Sequence, residues 1–90
     1  MQITEYSFKW YNDRKRKWRS RSGKAPYAGP GKIWRRGSDG WYKENLSNVM
    51  SIGIQDTKDK EVNVRQATDE EEKYWDEIAE QEVEKHSKPW

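Results

Sequence analysis

The densest group of chemically capable side chains lies at residues 14–21, where six of eight positions carry a positive charge. Guanidinium and ammonium groups bind phosphates and release condensed counterions, and an indole ring can stack on a base. Such a charge run is usually only a solvated strand or loop. Its density, the tryptophan within it and the recurrence of positive charge on a second predicted hairpin leave the two interpretations evenly matched. The residues are Arg14, Lys15, Arg16, Lys17, Trp18, Arg19 and Arg21.

A second basic and aromatic group flanks the Gly-Ser-Asp-Gly sequence at residues 37–40. Glycines at this spacing supply the positive φ angles of a tight turn, so we expect a β-hairpin with strands at 32–36 and 41–44. Its positive charges extend the basic patch of residues 14–21 onto a second element. Its tryptophans could lie equally well in the core or on the surface. The candidate contacts are Lys32, Trp34, Arg35, Arg36 and Trp41.

Catalysis has little support in the sequence. The chain has no cysteine, and its single histidine, His86, has no nucleophile beside it. The sequence at 29–32 lacks the spacing of a phosphate-binding loop, and Pro30 removes one backbone donor. The acidic run at 69–72 would send its side chains in different directions on a helix, which favours a cap over a metal site. We therefore expect a protein that is not an enzyme and has no cofactor or metal.

The charge is strongly polarised along the chain. Residues 1–50 hold 12 Lys/Arg and 4 Asp/Glu, whereas residues 51–90 hold 6 Lys/Arg and 12 Asp/Glu. Opposite charges of this kind can attract one another within the molecule or in a homo-oligomer, and salt would weaken that attraction. The polarity predicts a negatively charged partner for the first half.

No hydrophobic run approaches the roughly 20 residues that span a bilayer, and the first residues lack the basic and apolar regions of a signal peptide. The expectation is a cytoplasmic protein with no membrane partner.

The first strand is predicted at residues 3–11, where Tyr6, Phe8 and Trp10 alternate with polar residues. We expect residues 14–21 to form a basic arm that could pair with this strand, anchored by Trp18 alone and mobile when unbound. The Gly- and Pro-rich residues 22–31 predict a loop. Trp10 is expected to lie in the core.

The second half predicts another hairpin and one helix. Alternation places Met50, Ile52 and Ile54 on one face of a strand at 49–55, and Val62 and Val64 facing inward on a strand at 61–66.

The helix opens at Thr68, because Thr68 and Glu71 have the spacing of a capping box. Its expected buried stripe is Trp75, Ile78, Ala79 and Val83.

These elements predict an α+β fold: a small twisted antiparallel sheet of about five or six strands, packed by one C-terminal amphipathic helix. Aliphatic residues are few, so six Trp and five Tyr would supply much of the core. We expect one domain over residues 1–86 and a tail at 87–90.

Three functions fit this pattern. The first is a nucleic-acid-binding module, for DNA or RNA, whose arm and hairpin contact phosphates. The second is an inhibitor of a host protein, such as a defence or transcription component, because Trp and Arg are favoured at protein interfaces. The chain also resembles small bacteriophage accessory proteins in being short, Trp-rich and bipolar in charge. The third is a protein that binds or sequesters a nucleotide.

Overall fold

The computed structural model describes the backbone of residues 1–82 and the side chains of residues 1–79. Within these residues the fold is α+β, with antiparallel strands and a C-terminal helix, as the sequence predicts. Predictions for Val83, His86 and the tail lie outside the described residues. The elements are β1 (Gln2–Asn12), β2 (Lys17–Pro26), β3 (Lys32–Gly37), β4 (Gly40–Asn45), α1 (Leu46–Val49), β5 (Thr57–Gln66) and α2 (Asp69–Glu82).

The strands form two sheets, so the prediction of a single sheet of five or six strands is wrong. One sheet has the order β2-β1-β5 and the other is the β3–β4 hairpin. An isolated bridge between Tyr27 and Ile33 follows β2. Gly29 and Gly31, with φ of 118° and 69°, turn the chain sharply there, which interrupts the strand ladder. The predicted hairpin itself is confirmed, with Gly37 paired to Gly40.

Strand β1 is the centre of the three-stranded sheet, and its start is buried on both faces, since Ile3 and Thr4 are each 0% exposed. Ile3 and Phe8 are 0% and 1% exposed, while the intervening residues 5–7 are half-buried. β2 pairs with β1 over ten consecutive positions, from Ile3 opposite Pro26 to Asn12 opposite Lys17. Both outer strands leave one edge without a strand partner among residues 1–82.

Strand β2 runs through residues 22–26, where a loop was expected. The long partner strand β1 offers a backbone hydrogen-bonding ladder there, which outweighs the weak strand propensity of Gly23. Tyr6 lies directly opposite Gly23, and its hydroxyl would overlap a Cβ at that position. The missing side chain therefore makes room for an aromatic ring. Pro26 ends the strand, a position that tolerates proline.

The predicted hairpin of strands 49–55 and 61–66 is wrong. Leu46, Val49 and Met50 have the i, i+3, i+4 spacing of a helix face, and the chain forms α1 over Leu46–Val49. Leu46 and Met50 are buried, and Gly53 turns the chain with a φ of 51°. β5 then pairs with β1 and not with its neighbour in sequence.

The inward placement predicted for the aliphatic residues of this region is also wrong at three positions. Ile54 is 97% exposed, and Val62 and Val64 are 48% and 39% exposed. The two valines lie opposite Tyr6 and Thr4, at the β5 edge of the sheet. The two valines are exposed because β5 is an outer strand of the sheet and the main core lies nearer β2.

The main core lies between the three-stranded sheet, β3 and α1. Burying a large apolar side chain contributes about 1.5–3 kcal/mol, so a few such residues account for much of the stability of a small domain. Packed against it are four partly buried side chains, including the predicted core residue Trp10: Tyr6, Trp10, Val49 and Ile52. The buried cluster is Phe8, Ala25, Ile33, Leu46 and Met50.

The capping box at the start of α2 is confirmed. The Glu71 amide donates to Thr68 Oγ1 over 3.2 Å, and the Thr68 amide donates to Glu71 Oε1 over 3.1 Å. The predicted stripe is present as far as it is described, with Ala79 4% exposed and Trp75 and Ile78 half-buried. Neither helix of residues 1–82 has the length and apolar character needed to cross a membrane.

Arg65 fastens α2 to the sheet. Its Nη1 and Nη2 donate to the two carboxylate oxygens of Glu71 over 2.6 and 2.7 Å, and its Nε donates to Glu5 over 2.8 Å. These hydrogen bonds hold the pKa of Glu71 well below its ordinary value, and that of Glu5 is lowered as well. The same contacts raise the pKa of Arg65. The ion triad is therefore a structural clamp between β1, β5 and α2.

Candidate functional site

The basic arm, residues 14–21, is the far end of the β1–β2 hairpin. Asn12 Oδ1 accepts hydrogen bonds from the Arg14 and Lys15 amides, which shapes the turn, and Arg16 has a φ of 51°. Beyond the pairing of Trp10 with Thr57, β5 contributes no further strand pair. The tip is therefore a two-stranded ribbon.

Three arm cations share one face of β2. Alternate residues of a strand point to the same side, so Lys17, Arg19 and Arg21 form a row with steps of about 7 Å. The register places Arg19 opposite Trp10 and Arg21 opposite Phe8. All three side chains are exposed.

Among the described side chains, the six cations of the arm have no internal ion partner, whereas several basic groups in the body of the domain are paired. Within the side chains that the structure describes, none of the six forms a salt bridge. In the body of the domain, Lys24 lies 3.6 Å from Glu71, Lys9 lies 3.6 Å from Asp59, and Arg65 contacts two carboxylates. The positive field of the arm is consequently left without local neutralisation.

Trp18 lies on the opposite face of β2 from this row. Its ring packs edge-to-face on Tyr11 at 5.4 Å, and Lys58 Nζ lies 4.1 Å from the ring centroid. Trp18 is 39% exposed. The sequence placed Trp18 among the arm cations, and the structure divides the group between two faces.

A second candidate site is a cleft between the β3–β4 hairpin, α2 and the sheet. Its volume is about 370 Å³. We call it the aromatic cleft, because four aromatic side chains line it together with the cations Lys24, Arg35 and Arg36. The aromatic residues are Tyr6, Trp34, Trp41 and Trp75.

The β3–β4 register explains how these side chains meet. Trp34 pairs with Lys43 and Arg36 pairs with Trp41, so these four residues share one face of the hairpin. Lys43 Nζ lies 5.4 Å from the centroid of the Trp34 ring. The Trp41 and Trp75 rings meet edge-to-face at 6.3 Å, which joins the hairpin to α2.

The structure brings four of the predicted site residues into this cleft and leaves the others apart from it. Trp34, Arg35, Arg36 and Trp41 line it, whereas Lys32 is exposed at the start of β3 and does not. The arm residues form the separate group at the hairpin tip.

Sequence reasoning did not assign six of the lining residues to a site: Tyr6, Lys24, Ala25, Ile33, Trp75 and Ile78. Each was assigned to a strand, a loop or a helix stripe, and only long-range packing brings them together. The one local signal was Gly23, since a glycine opposite an aromatic residue in a sheet leaves space for its ring.

Two acidic residues of α2, Glu71 and Glu72, help to dock that helix. Their ion pairs reach the Met1 amine, Lys24 and Arg65, and none reaches the arm within the described side chains. In the same part of the chain, no three His, Asp or Glu residues are grouped so that they could hold a metal ion.

Comparison with known proteins adds no family to this geometry. No protein-family model, curated protein or solved structure matches the chain. The functional conclusion therefore depends on charge, exposure and the placement of aromatic rings.

Proposed function

We propose that the protein is a non-enzymatic nucleic-acid-binding module whose basic arm contacts phosphates. The observation that carries the proposal is the lack of internal partners for the six arm cations, within the described side chains, while Lys9, Lys24 and Arg65 are paired. A cation without a carboxylate beside it keeps its full attraction for an external phosphate.

The shape of the arm suits this role. A two-stranded β-ribbon fits the major groove of a duplex, and a row of cations along one strand can also follow a single strand. Phosphate contacts position a protein without reading sequence, so we expect binding with little base specificity from the arm itself.

The test is the salt dependence of binding to DNA and RNA, measured by fluorescence anisotropy. Six phosphate contacts give a log–log slope of about −5 on a duplex and about −4 on a single strand. Reversing two of the charges, Arg19→Glu with Arg21→Glu, should lower affinity at least tenfold and make the slope shallower by about two.

The matched control is Lys60→Glu with Lys73→Glu, which changes the net charge equally at two exposed residues outside the arm. It should lose far less affinity than the arm variant. Salt-independent binding, no binding at low salt, or equal losses in the two double variants would contradict the proposal.

A second candidate, a protein-binding inhibitor or adaptor, has its own support. Ile54, Val62 and Val64 are exposed, and the two valines lie on β5, an edge strand that could accept a strand from a partner. Affinity capture from a nuclease-treated lysate separates the candidates. A stoichiometric protein that stays bound after nuclease, and is lost on Val62→Lys, would favour this second function.

A further inference from the structure

We propose that the aromatic cleft binds an unpaired base of a single strand whose phosphates lie along the cationic face of β2. The inference rests on the proposed function and specifies its ligand as single-stranded nucleic acid. The aromatic cleft is a site separate from the arm.

The lining of the cleft matches a nucleobase. Aromatic rings offer faces on which a base stacks, and each stacked base contributes about 1–3 kcal/mol. Arg36 lies on the same face of the hairpin as Trp34 and Trp41 and lines the cleft with them, which places a positive charge beside the rings for the phosphate of such a base. The volume of about 370 Å³ lies at the lower end of the ~300–1,000 Å³ that ligand sites occupy.

Three arm cations and one lining residue of the cleft lie on the same face of β2. Unbroken register from Lys17 to Pro26 means that Lys17, Arg19 and Arg21 share their face with Ala25, which lines the cleft. Arg21 and Ala25 are four residues apart, or about 14 Å along the strand. A strand with its phosphates on the cationic row can therefore extend into the cleft within a few nucleotides.

The rings of the cleft are held in place before any ligand binds. Tyr6 is fixed over Gly23, and Trp41 and Trp75 support each other edge-to-face. A preformed site avoids part of the entropy cost of ordering side chains on binding. A duplex keeps its bases stacked inside, and extruding one costs a few kcal/mol, so this site favours a single strand.

The experiment compares a single-stranded oligonucleotide with a duplex of the same length. Trp34→Leu removes a stacking surface and keeps an apolar side chain, and it should weaken single-strand binding by about 5- to 150-fold. Duplex binding, which depends on the arm, should stay unchanged. The matched control is Tyr42→Leu, which removes an aromatic ring of the same hairpin that does not line the cleft, and it should leave both affinities unchanged.

Photocross-linking on the unmodified protein gives an independent readout. A 5-bromouracil oligonucleotide should cross-link to Trp34, Trp41 or Tyr6, as located by mass spectrometry. Cross-links confined to the arm would overturn the inference, as would free mononucleotides that bind as tightly as a strand. If the cleft binds a peptide instead, no oligonucleotide will cross-link to its residues and Trp34→Leu will not change the affinity for a single strand. That result would also overturn the inference.

The outcomes separate this inference from the function on which it rests. If no nucleic acid binds at low salt, the proposed function fails. If charge reversal in the arm weakens binding but Trp34→Leu does not, the proposed function is supported and the assignment of the cleft is wrong.

Discussion

The two ends of the three-stranded sheet use arginine in opposite ways. Where β1 begins, Arg65 hydrogen-bonds to Glu5 and Glu71 beside the fully buried Ile3. Where β1 turns into β2, residues 13–22 are all exposed, and the cations have no ion partner within the described side chains. The pairing of a positive charge, rather than the number of charges nearby, separates a stabilising group from one that is available to a ligand.

The largest effect on stability is expected when one side chain at each end of the sheet is shortened to alanine. Ile3→Ala should lower the free energy of unfolding by about 2–5 kcal/mol, because it leaves a cavity in a fully buried site. Trp18→Ala at the arm should cost less, about 1–2.5 kcal/mol, since the half-exposed ring loses mainly its contacts with Tyr11 and Lys58. Urea unfolding followed by circular dichroism measures both. Equal losses would mean that the tip is as firmly packed as the base.

An effect of intermediate size, on the melting temperature, is expected when the pH is lowered. The pKa of Glu71 is lowered by Arg65, so its contribution to stability is fully present above the ordinary value of 4.5 and is lost as the pH falls through the folded-state value. The melting temperature should therefore fall progressively below pH 4.5. Glu71→Gln should be less stable at pH 7 and lose less on acidification.

The control for this experiment is Glu70→Gln, an exposed residue in the same helical turn. It should keep the melting temperature and the acid dependence of the parent protein. Glutamine at position 71 can still cap the helix, so the comparison isolates the charge. A Glu71→Gln variant with unchanged acid dependence would show that Arg65 does not clamp α2.

The smallest effect is expected where the arm is neutralised. Arg19→Gln with Arg21→Gln should change the free energy of unfolding by less than about 0.5 kcal/mol, because neither side chain has an internal partner within the described residues. The same variant should weaken nucleic-acid binding. A marked loss of stability would place these arginines with Arg65 as structural groups.

Much of the fold could be predicted from local patterns. Alternation located β1, the glycines at 37 and 40 located the second hairpin, and the Thr68–Glu71 spacing located the start of α2. Each of these signals acts within a few residues, where side-chain geometry and backbone preference decide the outcome.

Features set by distant partners were missed. β2 extends through Gly23 because β1 is long enough to pair with it, and β5 pairs with β1 because α1 removes its expected neighbour. For the same reason, the arm cations were found from composition, whereas the meeting of Tyr6, Trp34 and Trp75 in the cleft was not.

The open edge of β2 has a consequence for self-association. An unpaired strand edge invites pairing with another copy, and proteins commonly protect such edges with charge. Two β2 edges would bring the rows of Lys17, Arg19 and Arg21 together, and like charges would repel. The exposed cations of β2 therefore protect the protein from aggregating through the edge of its own sheet.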